Sequence, residues 1–173
     1  MKKEFINNEI WSLTVGGAFQ RANIYKKDAD EKDKKDFKGK LKALIIGIAK
    51  QYKIEVDEPT HLKNILKVTE FRHPCLVNDK LNYGVSQKLL NLYLKYLWCL
   101  EDIPAPPHFP IDRIIQEVFN SGELVKNEII SWTKMEKEEQ YLQIIRYAET
   151  LAIKENISIA ELELKRFSRR SLN

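Results

Sequence analysis

Cysteine, glycine, proline and strand-like patterning are all scarce in this chain. Of 173 residues only Cys75 and Cys99 carry thiols. Both sit among apolar neighbours, which reads as reduced side chains inside an intracellular protein whose fold does not rest on disulfides. There are six glycines and six prolines, and four of the prolines fall within residues 104–110. That segment is a rigid extended crossing with no room for helix. The only short run with strand character, residues 54–56, is too brief to matter, and there is no internal repeat or low-complexity segment. No apolar run approaches a membrane span. The N-terminal Met1-Lys2-Lys3-Glu4 has the positive start of a signal peptide but no apolar stretch behind it. A glycine-rich nucleotide-binding loop and a serine or cysteine nucleophile motif are missing too. The expectation is a cytoplasmic protein with no membrane partner.

Neither sign of charge dominates. With 29 basic residues against 25 acidic ones, the net charge is +4 and the pI about 8.9. This small basic excess leans toward anionic partners such as nucleic acid. At this length one domain, residues 1–173, can bury about two thirds of its unfolded surface in a core.

What is present is helical periodicity. Phe5, Ile6, Ile10 and Trp11, then Phe19 to Tyr25, predict two short helices broken at Gly16-Gly17. Residues 26–42 alternate Lys with Asp and Glu and read as a solvated stretch of helix. From Phe37 the positions Leu41, Leu44, Ile45, Ile48, Ala49 and Tyr52 give one apolar face. Thr60, after Pro59, is placed as the N-cap of a helix carrying Leu62, Ile65 and Leu66, with His61 in its first turn as a structural or exposed residue. Ile111, Ile114, Ile115, Val118 and Phe119 mark a further helix, with Asp112 in its first turn and Ser121-Gly122 at its end. Capping boxes are expected at Thr133 with Glu136 and at Ser158 with Glu161. The fold class is therefore all-α.

The most apolar helix, about 86–100, is placed at the centre, because an apolar surface that wraps the whole cylinder belongs to a helix packed on several sides. Its polar interruptions Lys88, Asn91 and Lys95 stand at i, i+3 and i+7, along one face. A lysine entering such a helix needs a partner or a purpose. The bland alternative is that Lys88 snorkels to solvent and Asp112 is an ordinary first-turn residue. Zinc accepts the residue types of His73, Cys75, Cys99 and His108, but their spacing follows no zinc pattern.

Gly84-Val85-Ser86-Gln87-Lys88, followed by Pro110-Ile111-Asp112, resembles the helix-hairpin-helix DNA glycosylase superfamily, in particular its 8-oxoguanine DNA glycosylase/lyase branches. Their hairpin reads like Gly-Val-Gly-x-Lys, and their aspartate lies in Pro-Ile-Asp or Pro-Val-Asp. The resemblance covers residues 83–112. It implies excision of an oxidised purine from damaged double-stranded DNA, with Lys88 attacking C1′ to leave a Schiff base and Asp112 assisting deprotonation and steadying charge on the sugar. No metal or organic cofactor is needed for that chemistry. An amine set among Leu89, Leu92 and aromatic neighbours is desolvated, and desolvation favours the neutral nucleophile.

An extruded base needs a pocket with stacking walls and hydrogen bonds to its edge. Tyr93, Tyr96, Trp98 and Trp132 are candidates for the walls, and Gln87 and Asn91 for the edge. Backbone N–H groups around Gly84 and Ser86 would meet phosphates. The turn departs from the family form, with Tyr83 where a proline commonly precedes the first glycine and Ser86 at the second glycine. Arg113, Lys80 and the basic residues Lys165, Arg166, Arg169 and Arg170 are further phosphate candidates. The rival reading is a non-catalytic all-helical interaction module that binds nucleic acid or a protein partner.

Overall fold

The computed structural model describes residues 1–121 and 128–167. Among the described residues there are seven α-helices and no strand: α1 (Lys2–Phe19), α2 (Glu31–Ala49), α3 (Glu58–Thr69), α4 (Tyr83–Cys99), α5 (Arg113–Asn120), α6 (Glu138–Glu155) and α7 (Ile159–Arg166). Single 3-10 turns occupy Lys50–Lys53, Val77–Asp79 and Trp132–Lys134. Two isolated β-bridges, Tyr25 with Leu76 and Arg72 with Lys80, tie the connectors together.

Helix α4 is the centre, as its composition predicts. Every residue from Tyr83 to Leu94 is buried, and α1 and α3 pack along it. It starts earlier than residue 86, because the Asn82 side chain caps it by accepting from the Val85 N–H at 2.8 Å. Gly84 thus lies inside the first turn of the helix. The turn Trp132–Lys134 presses so closely there that a Cβ on Gly84 would stand 1.9 Å from the Trp132 carbonyl oxygen.

Three local expectations are corrected. The pair Gly16-Gly17 does not divide α1, which runs unbroken from Lys2 to Phe19. Each glycine costs a helix about 1 kcal/mol relative to alanine, and the buried row Ile10, Trp11, Thr14, Gly17 and Ala18 offsets this. Asp57, not Thr60, caps α3, its carboxylate accepting from the Thr60 N–H at 2.9 Å. Pro59 then falls in the first turn, where its missing N–H is harmless. Thr133 and Glu136 do not open α6: Thr133 belongs to a 3-10 turn. The start of α6 is instead closed by the Gln140 side-chain oxygen, which accepts from the N–H groups of Glu136 and Lys137 at 3.0 and 3.1 Å. The Ser158 and Glu161 box forms as expected, with Ser158 N–H to Glu161 at 2.8 Å and Glu161 N–H to Ser158 Oγ at 3.2 Å. Gly122, Arg169 and Arg170 lie outside the described residues.

The core carries a buried polar network that fastens the proline-rich crossing to α4. Gln87 grips the Ile111 backbone from both sides, donating to its carbonyl at 2.9 Å and accepting from its N–H at 3.1 Å. Asn91 donates to the Phe109 carbonyl and to the Tyr141 hydroxyl, each at 3.0 Å. Tyr141 also meets His108 Nδ1 at 2.8 Å, and His108 Nε2 reaches Glu58 at 3.0 Å. His61 is fully buried, edge-on to His108 and bonded to the Tyr52 hydroxyl at 2.8 Å.

Candidate active site

Asp112 is the hinge of the site. It is the N-cap of α5, and its Oδ1 accepts from the Ile115 N–H at 3.1 Å. Its Oδ2 accepts from Lys88 Nζ at 3.2 Å. The cap holds the carboxylate in one orientation, and the Gln87 clamp on Ile111 holds the proline-rich segment that delivers it. The amine comes from the first turns of α4, where Lys88 is only 6% exposed. Its head group stands 4.1 Å from the centre of the Trp132 ring.

The two groups open onto one cavity of about 270 Å³ lined by Lys88, Leu92, Lys95, Tyr96, Pro110, Asp112, Glu163, Leu164 and Phe167. This is close to the lower end of the volumes of ordinary ligand pockets. A second ion pair lies on its wall: Lys95 Nζ donates to both Glu163 oxygens, at 2.8 and 2.6 Å. The Lys95 head group stands over the Phe167 ring at 4.8 Å. Burial pushes the Glu163 carboxyl up from its ordinary value. Lys95 opposes that shift, and the charge of Asp112 adds to it, so the two acids act on each other across the cavity.

The other expected site residues are distributed differently. Gln87 and Asn91 do not line this cavity; both are fully buried and committed to Ile111, Phe109 and Tyr141. Asn91 therefore does not share a working face with Lys88 and Lys95. Tyr93 and Trp98 pack within or against the core, and of the α4 aromatics Tyr96 is the one on the cavity wall. Trp132 touches Lys88 and also lines a surface depression with Arg21, Arg113, Ile129, Ser131 and Thr133. The Gly84 N–H donates to the Met135 carbonyl at 3.0 Å, and Ser86 donates both N–H and hydroxyl to the Asn82 carbonyl, at 3.1 and 2.8 Å. Those donors are spent within the protein and not turned toward a phosphate. Arg113 is exposed and pairs with Glu117 at 2.6 Å. Lys80 lines a second depression with Arg21, Asn82 and Lys134.

Lys95 stood out in the sequence only as a polar residue on the Lys88 face, and Glu163 and Phe167 are the site residues that the sequence did not single out. A signal existed: Glu163 falls at i+3 from Ala160, on the buried side of α7, where an acid calls for a partner. Among the described residues no group of three or more metal-ligating side chains assembles. His73 and Cys75 touch each other at 3.0 Å, whereas Cys99 is exposed and His108 belongs to the core network. No helix of the described residues is long and apolar enough to cross a membrane. Comparison of the chain with protein-family models, with curated proteins and with solved structures finds no match, so function is argued from the geometry above.

Proposed function

We propose that the protein is a DNA glycosylase with abasic-site lyase activity on oxidised purines such as 8-oxoguanine, with damaged double-stranded DNA as its partner. The observation that carries this reading is the 3.2 Å contact between Lys88 Nζ and Asp112 Oδ2 at a shared cavity. A lysine nucleophile needs a nearby base, and the base needs something to orient it. Asp112 is the base, and its capping bond to Ile115 is the orienting contact.

In this mechanism Asp112 takes a proton from the Lys88 ammonium. The freed amine forms a bond to C1′ as the glycosidic bond breaks, and the base leaves with the bonding electrons. Opening of the sugar ring then gives the C1′ imine. Asp112 passes the proton to the departing base, and the carboxylate so restored steadies the positive charge that develops beside it. Arg113, Arg21 and Lys80, on exposed ground around the N-terminal end of α4, supply phosphate contacts.

Borohydride reduces such an imine to a stable amine, so the test is covalent trapping on duplexes containing 8-oxoguanine or an abasic site. The expected result is a protein–DNA adduct that disappears in Lys88→Gln. A wild-type chain that shifts DNA reversibly and never forms an adduct would support the interaction-module reading. Specific support for that rival lies in the Lys88–Asp112 pair itself, which also serves as a tie between α4 and α5.

A further inference from the structure

Many cations on the surface are answered by an acid: Lys26, Lys40, Arg113, Arg146 and Lys165 each meet a carboxylate. Arg21, Lys80 and Lys134 form no ion pair or side-chain hydrogen bond among the described residues. Yet the three line one depression of about 310 Å³. Its floor is apolar and buried, made by Ile24, Leu81 and Val85. Among the described residues the one acid on its wall is Glu136. Like charges gathered without a counter-charge repel one another, and an anion between them removes that cost. The walls come from three distant segments that are tied together. Val77 N–H donates to the Ile24 carbonyl at 2.9 Å, and Asn82 Nδ2 donates to the Thr133 carbonyl at 2.7 Å. Arg21, Asn23 and Asn78 hold positive φ angles of 67°, 21° and 57° on these walls. Such backbone is costly for a residue with a Cβ, and it gathers where a ligand site over-determines it.

We infer that this depression binds a free mononucleotide, with its phosphate among Arg21, Lys80 and Lys134 and its base flat on Ile24, Leu81 and Val85. The volume stands at the small end of ligand pockets and suits one nucleotide. A terminal phosphate carries close to two negative charges at neutral pH, whereas each phosphate within a DNA strand carries one. Three unanswered cations therefore suit the free nucleotide better than a strand passing over them. The side-chain amides of Asn23 and Asn78 make no hydrogen bond among the described residues, and each offers both a donor and an acceptor to the edge of a base. The inference goes beyond the glycosylase/lyase reading and does not rest on Lys88. A nucleotide held here would compete with DNA for Arg21 and Lys80.

The experiment is calorimetric titration of the full chain with adenosine and guanosine 5′-monophosphates, with the two nucleosides, and with inorganic phosphate. A monophosphate is expected to bind saturably and more weakly as salt rises, with nucleosides and inorganic phosphate weaker by roughly tenfold or more, since each fills half of the site. The double variant Arg21→Asn with Lys80→Gln should weaken the monophosphate by roughly tenfold, the sum of two exposed charge contacts. Asparagine accepts the left-handed backbone at position 21, and both residues are exposed, so the fold is kept. Lys3→Gln, near the far end of α1, removes one charge outside the depression and should leave the affinity as it is. Three results each overturn the inference: no saturable binding of either monophosphate, an affinity equal for inorganic phosphate, or a loss no greater in the double variant than in Lys3→Gln. If the double variant weakens only a duplex oligonucleotide, the cations are DNA contacts and the nucleotide site is refuted. The borohydride adduct at Lys88 is read separately, so either proposal can fail while the other stands.

Discussion

Asp112 does two jobs with two oxygens. Oδ1 caps α5 and Oδ2 meets the Lys88 amine, and substitution can separate the two. Asparagine caps about as well as aspartate, and alanine loses about 1 kcal/mol at such a position. Asp112→Ala is therefore expected to be less stable than Asp112→Asn by about 1 kcal/mol in urea unfolding. Both variants should slow borohydride trapping by roughly a hundredfold, the scale of a lost general base. A trapping rate in Asp112→Asn equal to wild type would remove Asp112 from the mechanism. Lys88 and Asp112 were legible as candidates from the sequence because each stands in a short string of recognisable form. Gln87 and Asn91 were not legible in their actual role. Nothing local says that an amide will turn inward to hold a backbone segment that returns 18 to 24 residues later.

Among the elements, α4 was the clearest in the sequence, since a run apolar on all sides has only one place to go. Its polar residues were harder, because a fully buried helix has no solvent face to sort them. Asn91 enters the core network while Lys88 and Lys95 reach the cavity. The caps at Asn82, Asp57 and Gln140 were missed for a related reason: polar side chains within a few residues of each other compete for the same N–H groups, and tertiary packing decides between them. The N-terminal turn of α4 gives a sharp check of that packing. A Cβ at Gly84 would stand 1.9 Å from the Trp132 carbonyl oxygen and 2.8 Å from Met135 Cβ, so backbone must move to admit it. Gly84→Ala should cost roughly 1–3 kcal/mol or more in denaturant unfolding. It should also displace Trp132 from Lys88, readable as a shift in tryptophan fluorescence. An unchanged unfolding midpoint would refute the contact.

For the whole molecule, the buried histidines His61 and His108 make stability depend on pH. Burial pushes His108 down from 6.5 to about 4, against the pull of Glu58, while Arg146 pushes the same way as burial. His61 is lowered well below 6.5, first by burial and then by His108, with Asn91 opposing. Facing them are Glu58, Arg146, Tyr141, Tyr52 and Asn64. Arg146 holds Glu58 below its ordinary carboxyl value, so Glu58 stays ionised through most of the window. The unfolded chain binds protons on both histidines below about pH 6.5 and the folded chain does not, so the unfolded state gains as pH falls. The contribution is complete above pH 6.5 and is lost toward pH 4. His108 alone accounts for on the order of 3 kcal/mol across that window, at 1.4 kcal/mol per pH unit. Unfolding midpoints that do not fall between pH 7 and pH 4.5 would contradict the buried, neutral state.

Glu163 was the least legible residue of the site, because it meets Lys95 across 68 residues of chain, whereas Lys88 and Asp112 are 24 apart. That difference also sets an order in time. As the polypeptide leaves the ribosome, the amine and its acid are both available well before α7 emerges to finish the wall around them. The chain therefore presents the Lys88–Asp112 pair early and Glu163 late.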